Sequence, residues 1–164
     1  MQRVGRRAVL AAAMMISTFV AGVASAAEMS AAEVAQGYLA AWNAKDVEKA
    51  ASFYADDVEY FDVTLGEPHK GREAAREVVQ TFVTAAPDLK WEMKGDPIVS
   101  DDGIAFQWTF SGTNTGAWGP DTPATNKPFS FEGVTLMRVQ DGKITYQGDY
   151  YDGYGFQKQL GWIQ

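Results

Sequence analysis

From residue 30 onward helical apolar spacings dominate the first part of the chain and strand-like alternation the second. Ser30-Ala-Ala-Glu33 forms a capping box, and Val34, Tyr38 and Trp42 follow at spacings of four, which predicts a helix with one apolar face running to about Asn43. Asp46 is placed to cap a second helix, with Val47, Ala50, Ala51 and Tyr54 as its inward stripe and Asp56-Asp57 as its end. Val58–Asp62 reads as a short strand and Gly66–Gly71 as a loop. A third helix is expected over Arg72–Ala86, with Ala75, Val78, Val79, Phe82 and Val83 buried and Pro87 as its stop.

The remainder reads as sheet. Leu89–Lys94 continues through Pro97–Val99, turns at Asp101-Asp102-Gly103 and returns over Ile104–Thr115. Gly116–Pro128 carries three prolines, two glycines and Trp118, which marks a long loop. Phe129–Val139, the turn Gln140-Asp141-Gly142 and Lys143–Tyr151 then form a hairpin, followed by a short helix around Gly155–Leu160 that stops at Gly161. Helices first and antiparallel strands afterwards give an α+β fold, one bent sheet folded over the amino-terminal helices.

The hairpin carries a resemblance. Phe129-Ser-x-Glu-x-Val-x-Leu-Met-Arg-Val139, Asp141-Gly-Lys-Ile144, Asp149-Tyr-x-Asp152 and Gln159-Leu-Gly161 resemble the carboxy-terminal half of the SnoaL-like polyketide cyclases, in the nuclear transport factor 2-like superfamily. The resemblance implies a conical sheet around an apolar pocket and assigns Asp149 the general acid/base role in an aldol ring closure. Tyr38, Asp46, Tyr54-Ala-Asp-Asp57, Asp62 and Gly71-Arg-Glu73 are similarly spaced to the ketosteroid isomerases of the same superfamily. That likeness implies a proton-abstracting base at Asp62 and an oxyanion donor at Tyr38. The chain departs from both patterns on one strand face: Thr135 stands where the isomerases have a protonated aspartate and the cyclases a histidine, and Gly133 replaces a cyclase glutamine.

Composition narrows the chemistry further. With no cysteine and a single histidine, thiolate nucleophiles and sulfur-ligated or multi-histidine metal sites are excluded. No P-loop, GxGxxG or GxSxG pattern occurs, and neither a cofactor nor a metal is expected. Arg3, Arg6 and Arg7 precede an apolar run from Ala8 to Val23, and Ala24-Ser-Ala26 offers a small-residue cleavage site. Residues 1–26 therefore read as a cleaved export signal, with Arg6-Arg7-x-Val9-Leu10 resembling a twin-arginine type and a periplasmic or secreted domain at 27–164. The run is shorter than the ~20 apolar residues of a spanning helix. Cleavage removes three arginines and no acid from the net charge of −7, leaving −10, which disfavours nucleic acid and anionic membrane as partners.

The candidate set follows. Asp149 and Asp62, on strands with aromatic neighbours, are the candidate proton-transfer carboxyls, and Tyr38 the third catalytic candidate. Thr135, Trp42, Phe131, Tyr151, His69 and Trp118 are expected to bind substrate, a small hydrophobic carbonyl compound. Structural alternatives stand beside each: Asp149 facing outward or capping the last helix, Asp62 closing a turn, Tyr38 and Trp42 as core, His69 and Trp118 as exposed loop residues. Asp152 is expected to cap the last helix. Glu132 and Arg138 alternate with Thr135, so they face outward, where a homodimer could form. The alternative to an enzyme is a non-catalytic binding or dimerising module.

Overall fold

The computed structural model describes residues 29–164, so the expected export signal at 1–26 lies outside the described residues. Helix α1 (Ala31–Ala44) starts at the capping box: Ser30 Oγ accepts from Glu33 N, and the Glu33 carboxylate accepts from Ser30 N at 2.8 Å. Lys45 in the left-handed region ends it, and Asp46 caps the short helix α2 (Val47–Ala51) by accepting from Lys49 N at 2.9 Å. The second helix is thus shorter than its apolar stripe suggests. Tyr54 begins strand β1 (Tyr54–Asp62), because the backbone there is captured by a strand ninety residues later: Ile144 N donates to Phe53 O at 2.8 Å and Tyr54 pairs with Ile144. Tyr54 stays buried, but from a strand.

Within the expected loop a two-residue strand, β2 (His69–Lys70), pairs with β1, and is too short to leave a periodic signal. Helix α3 (Arg72–Ala85) buries Ala75, Val78, Val79 and Phe82. Strands β3 (Lys90–Ser100), β4 (Gly103–Thr113), β5 (Pro128–Gln140) and β6 (Lys143–Tyr151) follow, with helix α4 (Gly153–Leu160) last. The β5–β6 turn places Asp141 and Gly142 both at positive φ, as a two-residue hairpin turn with right-handed strand twist requires. The sheet order is β2-β1-β6-β5-β4-β3, and only β1–β6 is parallel, an exception to the antiparallel layout expected.

Register then decides which side chains meet. Across β1, β6, β5 and β4, Asp62, Asp149, Thr135 and Phe106 form one row; two residues along, Tyr151, Gly133 and Trp108 form another. Residues on one strand face recur at every second position, so both rows point to the concave side, against α1 and α3. Thr135 is fully buried while Glu132 and Arg138 are exposed, in agreement with the alternation, and Glu132 pairs with Lys94 on the outer face.

Gly133 is what lets the second row close. A Cβ there would lie 2.3 Å from Trp108 Cη2 and 2.8 Å from the Tyr150 carbonyl oxygen, so the indole occupies the space of the missing side chain. Gly133→Ala is expected to lower unfolding stability by about 1–3 kcal/mol, the usual range for an overpacked core. Urea denaturation checks this, and an unchanged midpoint would contradict the packing described.

Candidate functional site

Strands β1 and β6 set Asp62 and Asp149 side by side, and both carboxyls are buried, at 2% and 3% exposure. Asp149 is surrounded by donors. Its Oδ1 accepts from Thr135 Oγ1 at 2.5 Å, and its Oδ2 accepts from the Tyr60 hydroxyl and from Gln147 Nε2, each at 2.9 Å. No ion pair among the described residues involves either aspartate, and no Lys or Arg is buried among them. Burial without a cation pushes the Asp149 carboxyl up to about 7, with the Asp62 charge adding to the effect and the bonds from Thr135, Gln147 and Tyr60 opposing it. The Tyr60 hydroxyl is itself pushed well above its ordinary range, by burial and then by the charges of Asp149 and Asp62, so it remains a donor.

Asp62 is differently held. Its carboxylate accepts from Thr64 N at 2.7 Å, from Thr64 Oγ1 at 2.5 Å and from the Tyr151 hydroxyl at 2.9 and 3.0 Å. The turn-closing role anticipated as its alternative is therefore present, together with burial beside Asp149. Asp152 caps α4 by accepting from Gly155 N at 2.8 Å.

One cavity lies against this row and a second adjoins it at Phe82. The inner one, about 20 Å³, is lined by Asp62, Asp149, Tyr60, Trp42, Trp91, Trp108, Phe110, Phe131, Tyr151 and Phe82. The outer one, about 650 Å³, is walled by Phe82, Trp118, Phe156 and Trp162, with Thr64, His69 and Glu77 among its polar contributors. Phe82 lines both and stands between them. The structure thus brings Asp149, Asp62, Trp42, Phe131 and Tyr151 to the inner cavity, and His69 and Trp118 to the outer one. Trp118 is no free surface aromatic: its ring meets Phe82 at 5.0 Å and Phe156 and Trp162 at 5.8 Å each. Its loop is tied down by Asn114, which donates to Ala85 O and Gly116 O.

Tyr38 and Thr135 differ from expectation. Both are fully buried and line neither cavity. The Tyr38 hydroxyl bonds to the Tyr54 hydroxyl, and burial, with the Asp149 charge, raises its pKa. Thr135 gives its one proton to Asp149 and accepts from Trp108 Nε1 at 2.8 Å, so it has no donor left for a substrate. Tyr60, Gln147 and Trp108 were not among the sequence candidates. The first two share a strand face with Asp62 and Asp149 at two-residue spacing, which is the signal that could have found them.

The family model of the SnoaL-like polyketide cyclases matches residues 32–160. No curated protein matches the chain. A hypothetical protein of ketosteroid isomerase-like fold from Catenulispora acidiphila, crystallised with trimethylamine, superposes with a TM-score of 0.67 at 22% identity, over 79% of this chain and 92% of that one. IdmH from Streptomyces antibioticus, provisionally named a polyketide cyclase, gives 0.67 at 24% identity, over 81% and 99%. A provisionally named polyketide cyclase from Bacillus cereus gives 0.63 at 26% identity, over 80% of each chain.

The raised carboxyl has a stability consequence. The folded state holds the Asp149 proton up to about pH 7, whereas the unfolded state releases it near 3.8. The corresponding stabilisation, of order 4 kcal/mol, is complete below the unfolded value and is lost as pH rises through the folded one. Unfolding free energies of the wild type should therefore fall relative to Asp149→Asn between pH 4 and 7. A pH-independent difference between the two would contradict a raised carboxyl. With its family model matched over residues 32–160, the chain belongs to the SnoaL-like polyketide cyclase family.

Proposed function

We propose that this SnoaL-like protein is exported and moves a proton at a carbon beside a carbonyl in a small hydrophobic molecule, with Asp149 as the acid/base. One observation carries the reading: Asp149 is a buried carboxyl among aromatics, without a cation, poised near neutral pH. A base with such a value is both ionised and basic enough to accept a proton at physiological pH.

The substrate body would rest in the outer cavity against Trp118, Phe156 and Trp162, and its reacting end would pass Phe82 to meet Asp149. The carboxylate takes the proton, and the C–H electron pair becomes an enolate. Trp91 lines the inner cavity, and its indole N–H has no hydrogen-bond partner among the described residues, so it replaces Tyr38 and Thr135 as candidate donor to the enolate oxygen. Return of the proton to another carbon completes an isomerisation. Attack of the enolate carbon on a second carbonyl completes a cyclisation, the new alkoxide taking the proton back from Asp149. The family model and the provisional cyclase names of similar structures favour the latter.

A second reading has its own observation. The inner cavity, about 20 Å³, is far smaller than the outer one, so the outer cavity alone suits ligand holding without chemistry. Asp149→Asn separates the two. For an enzyme, kcat should fall about 10²- to 10⁴-fold while ligand affinity stays within about twofold, and wild-type kcat/KM should rise with pH around a midpoint near 7. Turnover unaffected by the substitution would remove Asp149 from the reaction, and tight binding without wild-type turnover would establish the carrier.

A further inference from the structure

We propose that Trp108 is a positioning residue for Asp149, its indole N–H occupying Thr135 Oγ1 so that the threonine's single proton is committed to the Asp149 carboxylate. The inference rests on Asp149 being the proton-transfer group. Its basis is a directed chain: Trp108 Nε1 to Thr135 Oγ1 at 2.8 Å, then Thr135 Oγ1 to Asp149 Oδ1 at 2.5 Å. An indole nitrogen only donates and an ionised carboxylate only accepts, so while Asp149 is ionised the polarity of this chain has one solution. All three residues are buried, at 2%, 0% and 3% exposure, and among the described residues no other side chain bonds to the Thr135 hydroxyl.

The N–H stands where the hydroxyl proton would otherwise turn. With that direction closed, Asp149 is the acceptor left to Thr135, and the indole dipole polarises the hydroxyl towards the carboxylate. The ionised base is favoured over the neutral acid. Gly133 makes the arrangement possible, since any side chain there would meet the indole. The other titratable groups around Asp149 are Asp62, Tyr54 and Tyr60 from β1, Tyr38 from α1, and Tyr151 and Tyr146 from β6; β4 and β5 contribute the neutral, non-titrating Trp108 and Thr135. Trp108 also packs on Trp91, Phe131 and Tyr151, so loss of stability alone would not reveal its positioning role.

The test reads protonation without substrate, which keeps it separate from the question of turnover. The Asp149 carboxyl is titrated by carbon-13 NMR in wild type, Trp108→Phe, Thr135→Val and the double variant, together with the nitrogen-15 indole resonance of Trp108. Trp108→Phe should raise the Asp149 midpoint by about one pH unit, the scale of a lost charge-assisted bond. Thr135→Val should raise it at least as far, and the double variant no further than Thr135→Val. In the wild type the indole resonance should titrate with the Asp149 midpoint. An Asp149 midpoint unchanged in Trp108→Phe would overturn the proposal. Should that variant not fold, an indole resonance flat across the wild-type Asp149 titration would overturn it equally.

Discussion

A carboxyl group in an aromatic core without a cation is the constraint on which the rest of this structure depends. The ordinary remedy for a buried carboxylate is an Arg or Lys partner, which would hold it ionised and unreactive. Here the neighbours are three neutral donors and a second carboxylate. Hydrogen bonds from Tyr60, Thr135 and Gln147 oppose the cost of burial only in part, and the group is left near the point where proton loss and gain are balanced.

The fold supplies that environment through strand register. The parallel pairing of β1 with β6 sets Asp62 beside Asp149, and the β5–β6 hairpin sets Thr135 on the other side. One residue of slip in either pairing would turn Asp149 away from its partners. The Asp141-Gly142 turn together with the one-residue irregularity between Arg138 and Val139 sets the hairpin register, and the helices α1 and α3 close the concave face with Trp42 and Phe82. Thr135 and Gly133, which look like two separate losses when set against related families, act together here. The glycine admits the Trp108 indole, and the indole engages the threonine.

Much of this was legible in the chain because its signals are local. The capping box, the Asp46 cap, the apolar face of α3 and the hairpin each lie within a few residues and appear where expected. The start of β1 did not, because the apolar stripe through Tyr54 suits helix or strand and the choice is made by Ile144 from the other end of the chain. The buried neighbours of Asp149 were partly legible: two-residue alternation puts Tyr60 with Asp62 and Gln147 with Asp149. The orientation of Tyr38 and Thr135 was not, since each side chain's polar end is directed by a partner on another element, Tyr54 and Trp108 respectively.

The central claim is that Asp149 is a desolvated acid/base, and its own titration tests this most directly. Carbon-13 carboxyl shifts of the wild type, assigned by difference with Asp149→Asn, should give a midpoint near 7. A midpoint near the ~3.9 of a free aspartate would show a solvated or fully compensated carboxylate and would contradict the account.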